Sequence, residues 1–431
     1  MSDDVAGPSV TRAGVAGAET PASAPTVYLH IGTMKSGTSY LQQVLSRNGR
    51  LLEKRGVLAV NSTQPVVKAT MDALDREQDH DEFAGAWHAV ASEMSSWPGR
   101  AAVLSGEILS FASSSAARSV VESLQPARVV IIITARDLAR QLPSAWQNKI
   151  KHGRGWLFSS YVASARDEPP APNTPGRSFW HHHDLATITA RWADAAGASN
   201  VVLIPVPPSG APPDLLWRHF AEVLDVPAED FDTTQDQGSN FSLGYLETEL
   251  IRKVNREVRE TLDREEQRAF VLQYMANEIL RPHPGDEPRV RTVLDPESYD
   301  WAVERSERMV FAIRALGVRV VGDLDDLIPP PLSEEERAAA AYASEHRPTV
   351  PDEIARAVSA LVIRIAELEG HGTAPVEGDE GPLERRRRLR KIRRTRQRDE
   401  RRSARPPPDP GEAEPSDDEP GDGDERADRG F

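Results

Sequence analysis

This sequence predicts an α/β fold, a three-layer sandwich with a central parallel sheet, and three observations carry that prediction. Residues 129–133 are five consecutive β-branched apolar residues, the pattern of a strand covered by helices on both faces. Shorter apolar runs at 26–31, 56–60, 101–104 and 200–206 alternate with segments of helical periodicity, the order expected of a parallel sheet. The first run passes through a glycine turn directly into a helical pattern, as in P-loop-type folds, where strand, loop and helix form the nucleotide site.

In order along the chain, residues 1–25 are rich in Ala, Gly, Ser and Pro and read as a disordered leader. The strand at 26–31 enters the glycine turn, and a helix runs on to about residue 53. A short strand follows at 56–60, then polar-rich helical sequence over 66–96, then the strand at 101–104 ending in Ser105-Gly106-Glu107. After the strands at 129–134 and 200–206, helical patterns resume at 215–224, 243–258, 264–279 and 300–316. A terminal structured stretch lies at 318–321. The proline cluster at 328–332 closes a main domain of residues 26–330. A helical extension spans 331–370, with helices at 333–344 and 351–368. In the second, Ile354, Val358, Leu361, Ile365 and Leu368 step by four and three. That seam covers about two heptads where a coiled coil wants three or four, so it is expected to pack back on the core. Residues 371–431 form a disordered charged tail, basic over 385–405 and acidic over 406–431.

The 431 residues carry a formal net charge of −15 and no cysteine. Disulfides, thiolate zinc sites and a cysteine nucleophile are thereby excluded. The first residues show no basic start followed by an apolar core, so a secretory signal is not expected. No run approaches the roughly 18 apolar residues of a membrane span, and a cytoplasmic location is the expectation. The charge is uneven: residues 385–405 hold thirteen Lys/Arg against Asp399 and Glu400, while residues 406–431 hold ten Asp/Glu against two Arg. An acidic body that binds a polyanion must therefore concentrate positive charge locally.

Chemistry concentrates first in His30-Ile31-Gly32-Thr33-Met34-Lys35-Ser36-Gly37-Thr38-Ser39. A glycine turn at the start of a helix points backbone N–H groups outward at the positive end of the helix dipole, which suits phosphate or sulfate. Gly32 and Gly37 are spaced as in the GxxxxGK[ST] loop, but Thr38 stands in the lysine position and Lys35 lies inside the turn. A lysine there can lie along a bound anion and reach the oxygen bridging two charged groups. A second site follows the central strand. Arg136 emerges past its carboxyl end, where open α/β sheets bind ligands, and Ser144 stands eight residues on, near the start of a helix begun near Pro143. A guanidinium can grip phosphate through two parallel hydrogen bonds. A magnesium-dependent kinase would instead want aspartate directly at the strand end, and here Arg136 precedes Asp137.

Together the two motifs resemble sulfotransferases that use 3′-phosphoadenosine 5′-phosphosulfate (PAPS), whose loop is usually PKSGT followed by a helix; Met34 replaces the usual proline. Segments at 179–192, 201–208 and 216–220, and Asn240-Phe241-Ser242-Leu243, are also similar to bacterial members of that family, so the resemblance spans about residues 26–328. It implies a sulfotransferase-like fold and a metal-free transfer of sulfate from PAPS to a hydroxyl or amine. By the same resemblance Lys35 serves the bridging oxygen, Ser36, Gly37, Thr38 and Ser39 the 5′-phosphosulfate, and Arg136 with Ser144 the 3′-phosphate. Family members place a glutamate or histidine base after an early strand, which makes Glu107 the first candidate and His152 the alternative.

Other features have plainer readings. His181-His182-His183 lacks metal-ligand spacing, and Lys149 and Lys151 could line the donor or acceptor, although a solvated helix end is the expected use of both. Trp146, Trp156, Phe158 and Trp180 could wall an acceptor pocket, although aromatics at such spacing usually build core. The acceptor is open: a carbohydrate, glycolipid, small phenol or protein tyrosine all fit. The arginine run has no interleaved aromatics and an acidic neighbour, so no specific nucleic acid is expected; a weak contact with an anionic surface stays open, as does the oligomeric state. The competing reading is a catalytically silent nucleotide-binding scaffold that works through its charged tail.

Overall fold

The computed structural model describes residues 24–60, 63–74, 83–234, 243–282 and 286–369. Residues 1–23 of the expected leader and the whole charged tail lie outside these, as do Asn240, Phe241 and Ser242. Among the described residues six strands form one parallel sheet, β1 (Thr26–His30), β2 (Val57–Val60), β3 (Ala101–Ser105), β4 (Arg128–Ala135), β5 (Val201–Pro205) and β6 (Arg319–Val320), in the order β2-β3-β1-β4-β5-β6. β1 is flanked by β3 and β4, with Leu29 in register with Leu104 on one side and Ile131 on the other. The chain leaves β1 to build β2 and β3 on one side, then crosses to β4 on the other. The carboxyl ends of β3, β1 and β4 consequently frame the crevice in which such sheets bind ligands.

Alternate residues of each strand face opposite layers, as the two-residue repeat demands. Val57, Val103, Val130, Ile132, Val202 and Ile204 pack against α1 (Thr38–Arg47), α2 (Gly49–Lys54) and, later in the chain, the helix Leu215–Leu224. Val27, Leu29, Leu104, Ile131, Ile133 and Leu203 face the larger layer. That layer holds α3 (Thr63–Ala73), α4 (Ala86–Ser95), α5 (Ser114–Glu122), α6 (Leu138–Lys151), α7 (Phe158–Arg166), α8 (Pro175–His183) and α9 (Leu185–Ala196). The helix Leu215–Leu224 is α10; α11 (Tyr245–Val258) and α12 (Pro296–Ala315) add to the larger layer, and α13 (Glu334–Glu345) and α14 (Asp352–Glu369) follow. Between α11 and α12 the helix begun at Arg264–Glu266 widens to π-type winding over Gln267–Ile279.

Several local expectations shift. The helix expected to run to residue 53 breaks at Asn48, whose Nδ2 donates to the Val44 and Asp232 carbonyls. α14 does pack back on the body, but through Ala355, Ser359, Val362 and Ala366, all buried. The seam that includes Ile354, Leu361 and Leu368 is 50%, 64% and 62% exposed. Small residues on the inward face let the helix axis approach the body, and the larger side chains are left outside. Trp146 and Phe158 are core, as is Trp180, whose indole donates to the Ala165 carbonyl at 2.8 Å. Among the described residues no helix is long and apolar enough to cross a membrane.

Candidate anion site at the sheet edge

The loop between β1 and α1 is held to the sheet beyond the last paired strand residue. The Ile31 N–H donates to the Ile132 carbonyl at 3.0 Å, and the Thr33 N–H to the Thr134 carbonyl at 2.8 Å. Gly32 turns at φ +49°, and a β-carbon there would stand 2.4 Å from Thr38 Cγ2. Gly37 turns at φ +84°, with Leu216 Cδ2 only 2.5 Å from where its β-carbon would be. Lys35 itself occupies the left-handed region at φ 66°, a conformation a non-glycine residue keeps only when its surroundings impose it. α1 then starts with no side-chain cap and no acid in its first turn. Its first N–H groups and positive dipole end are left open to an anion.

A buried polar relay fixes the loop from below, and its directions can be derived. Ser36 Oγ lies 2.5 Å from the Thr33 carbonyl, which can only accept, so the serine proton points there. Ser36 Oγ must then accept from Thr134 Oγ1 at 2.8 Å. Thr134, its proton spent, accepts from His30 Nε2 at 3.0 Å. His30 Nδ1 in turn accepts from Ser105 Oγ at 2.8 Å. The imidazole is therefore neutral with its proton on Nε2, and complete burial holds its pKa down at about 3. His30 ties β1, β3 and β4 together at the very edge from which the loop springs. It lay inside the loop motif, but a histidine between two distant hydroxyls leaves no local signature.

A second tether comes from α6. Gln141 Nε2 donates to the Met34 carbonyl at 2.7 Å and to His183 Nδ1 at 2.9 Å. The amide thus steadies Met34 at the middle of the loop. His183 is buried beside these groups, and its pKa lies well below the ordinary value, through burial first and then the charges of His182, Lys149 and Lys35. Gln141 and His183 are further residues of the site that sequence reasoning did not assign.

Arg136 stands one residue past β4, two beyond the Thr134 carbonyl that receives the loop. Its neighbour Asp137 does not neutralise it. Asp137 caps α6 by accepting from the Arg140 N–H at 2.9 Å and pairs with the Arg140 guanidinium. Arg140 also holds the Pro207 and Val206 carbonyls at 2.9 and 3.2 Å. Arg136 is left with a buried Nε that has no hydrogen-bond partner and with no ion pair among the described residues. Burial, then the nearby Arg140, lower its pKa against the opposing pull of Asp137. A half-buried guanidinium without a carboxylate partner among the described residues, at the carboxyl edge of the sheet, has the chemistry to grip an anion.

Ser144 is not at a helix start. α6 begins at Leu138, capped by Asp137, and contains Pro143 in its interior, so Ser144 sits in the second turn. Asp137 is a strong N-cap, and a proline in the sixth position removes one helix hydrogen bond without preventing the turn before it. Its hydroxyl remains available, for it makes no hydrogen bond among the described residues; the expected free N–H groups do not exist there.

Glu107 follows β3 by two residues and accepts from Thr38 Oγ1 at 2.6 Å. Lys35 is half-buried, its pKa lowered by burial and partly restored by the Glu107 charge. Gly37 immediately precedes the Thr38 donor of this contact, while Ser39 is exposed on the first turn. His152 closes the last turn of α6 with Nδ1 on the Asn148 carbonyl at 2.8 Å. Burial, then the cations Lys35, Lys149 and Arg268, keep its pKa below the usual value, against the pull of that carbonyl. The structure therefore gathers Lys35, Ser36, Gly37, Thr38 and Glu107 at one point, with Arg136 at the end of the adjacent strand. Among the described residues no group of three or more His, Asp or Glu is placed to hold a metal.

No protein-family model matches the chain, and no curated protein matches it. Among solved structures, the chain is similar to the crystal structure of a sulfotransferase from Alicyclobacillus acidocaldarius, at 16% identity and a TM-score of 0.35, over 49% of this chain and 85% of that one. A distant structural neighbour of this α/β protein is thus a sulfotransferase.

Proposed function

We propose that the protein is a sulfotransferase that takes its sulfuryl group from PAPS. One observation carries the reading: two separate anion cradles, the Lys35 loop and the orphaned Arg136, spring from adjacent parallel strands at the same carboxyl edge. A donor with one phosphosulfate and one further phosphate can occupy both, whereas a simple triphosphate leaves Arg136 unsatisfied.

In this reading the open N-terminus of α1, with Ser36, Gly37, Thr38 and Ser39, holds the 5′-phosphosulfate, and Arg136 with the Ser144 hydroxyl holds the 3′-phosphate. When bound, the donor supplies a sulfuryl group whose bond to the bridging oxygen breaks as an S–O or S–N bond to the acceptor forms. Lys35 neutralises the charge growing on that bridging oxygen, and its partial burial strengthens the interaction by excluding water. Glu107, held against the loop by Thr38, takes the acceptor's proton; His152 is the alternative base. The relay through His30 and the tether from Gln141 keep the loop in one conformation, so little ordering remains to be done at the moment of transfer.

The test is calorimetry with 3′-phosphoadenosine 5′-phosphate. Saturable binding, much tighter than that of ATP and lost in Arg136→Ala, is the expected result. Equal affinity for ATP would overturn the assignment.

A further inference from the structure

The last described helix, α14, carries a pattern that the proposed chemistry leaves unused. Ile354, Val358, Leu361, Ile365 and Leu368 recur at steps of four and three, the a/d spacing of a coiled coil. Val358 and Ile365 take the a positions, and Ile354, Leu361 and Leu368 the d positions. β-branched residues at a with leucine at d favour two parallel strands. The stripe is also narrow, bordered by Ala357 and Arg364 at the g positions and by Ala355 and Val362 at e. A strict a/d stripe of this kind suits one facing helix rather than a broad apolar layer.

The body leaves that stripe open. Ile354, Leu361, Ile365 and Leu368 are 50%, 64%, 45% and 62% exposed, and Val358 is half-buried. The helix is held from another side, through the buried Ala355, Ser359, Val362 and Ala366. Lys253 of α11 pins its start, donating from Nζ to the Val350 carbonyl at 2.6 Å and pairing with Asp352 at 2.5 Å. At 3.6 residues per turn the inward face and the seam are centred roughly 110° apart, so a second helix can lie along the seam without displacing the body.

The seam spans only about two heptads, fewer than a free coiled coil wants. That requirement reflects the cost of forming helices as two peptides associate. Here the helix already runs for 18 residues and is anchored to the body, so pairing has only side chains left to order. The rest of the chain does not offer a matching stripe. Among residues 370–431 the large apolar side chains are Val376, Leu383, Leu389, Ile392 and Phe431, and only Leu389 and Ile392 stand three or four apart.

We propose that the seam is covered by a second copy of this chain. The two α14 helices lie parallel and in register about a two-fold axis, Leu361 against the partner's Leu361, with a and d layers interlocked. Five side chains from each protomer make an interface at the small end of the stable range, so association is expected at micromolar concentration. The inference stands apart from the sulfuryl-transfer reading and needs no ligand.

Sedimentation equilibrium of the full chain tests it. At about 100 μM, well above a Kd on the order of 1–10 μM, the parent should be a dimer. Leu361→Glu/Ile365→Glu should weaken association by about 100-fold or more, with the far-UV circular dichroism of the parent, since both side chains are exposed. A second arm uses a chain without cysteine and decides the question even if the glutamate variant misfolds. Oxidation with diamide should link Leu361→Cys into a disulfide dimer, because facing d positions of a parallel pair lie within disulfide reach. Ala360→Cys, exposed on the same helix but off the seam, should stay unlinked. A monomeric parent, a dimer that survives Leu361→Glu/Ile365→Glu, or equal linking of Ala360→Cys and Leu361→Cys overturns the proposal. A dimer in which Leu361→Cys does not link overturns it too, for the helices would then pair antiparallel or out of register. So does a monomer that binds phosphatidylglycerol vesicles and loses them in the glutamate variant, which would make a lipid surface the occupant.

Discussion

Thr38 Oγ1 donates to Glu107 Oε2 over 2.6 Å, joining the first residue of α1 to the turn that follows β3. The contact sets a carboxylate beside the anion loop, and in the proposed reaction this carboxylate takes the proton of the incoming hydroxyl. Glu107→Gln keeps the shape and a hydrogen-bonding partner for Thr38 but removes the base. A general base is worth about 10²–10⁴-fold in rate, and kcat for sulfate transfer is expected to fall by that factor. Nucleotide affinity, followed by calorimetry, should change less than threefold. A variant with full kcat would move the role to His152.

Arg136 offers a sharper test because its effect depends on one group of the ligand. A hydrogen bond to a charged group contributes about 1.5–3 kcal/mol, so Arg136→Ala should weaken 3′-phosphoadenosine 5′-phosphate binding by about 10–100-fold. Adenosine 5′-phosphate, which lacks the 3′-phosphate, should bind parent and variant alike. Ser144→Ala, losing one hydrogen bond from a neutral donor to the charged phosphate, should cost about 1.5 kcal/mol. Equal losses for both nucleotides in Arg136→Ala would mean that the guanidinium supports the fold rather than the phosphate.

These two sites show how far the sequence could be read. The loop was legible because glycine spacing, a lysine and a following helix are local features, and β4 because five β-branched residues in a row have few other uses. Ser144 was misplaced, since Pro143 looks like a helix start and only the three-dimensional cap at Asp137 shows that the helix began earlier. The isolation of Arg136 was hidden as well, for it follows from Asp137 choosing Arg140, a choice that the Pro207 and Val206 carbonyls enforce from the loop after β5. Likewise the inward face of α14 was read wrongly, because burial there selects small residues and the periodicity of the large ones pointed outward.

Gly37→Ala probes the loop backbone itself. The glycine lies at φ +84° and its added methyl would meet Leu216 Cδ2 at 2.5 Å, so both backbone strain and a clash oppose the substitution. A strained left-handed position costs about 1–3 kcal/mol. Thermal unfolding should register a loss of that size, and nucleotide affinity should fall at least tenfold because the N–H groups of α1 are turned away. Gly37→Ala combined with Leu216→Ala relieves the clash but not the strain, so recovery of stability is expected to be partial. Full recovery would show that φ at this position is not what demands glycine.

The relay through His30 predicts a pH dependence of stability. In the folded chain its pKa is held at about 3, against 6.5 for a free imidazole. Between those values the unfolded chain binds a proton that the folded chain refuses, so stability is complete above pH 6.5 and declines as the pH falls towards 3. One such group contributes a slope of about 1.4 kcal/mol per pH unit, or about 2 kcal/mol between pH 6.5 and pH 5, and the buried His183 acts in the same direction. Urea unfolding at pH 7 and pH 5 measures it. His30→Gln should be less stable at pH 7, having lost part of the link between Ser105 and Thr134, yet its midpoint should fall less steeply on acidification. A parent midpoint that stays level from pH 7 to pH 5 would mean that His30 can be protonated in place, with the imidazolium donating at Nδ1 and the Ser105 hydroxyl accepting, the reverse of the direction derived for that bond.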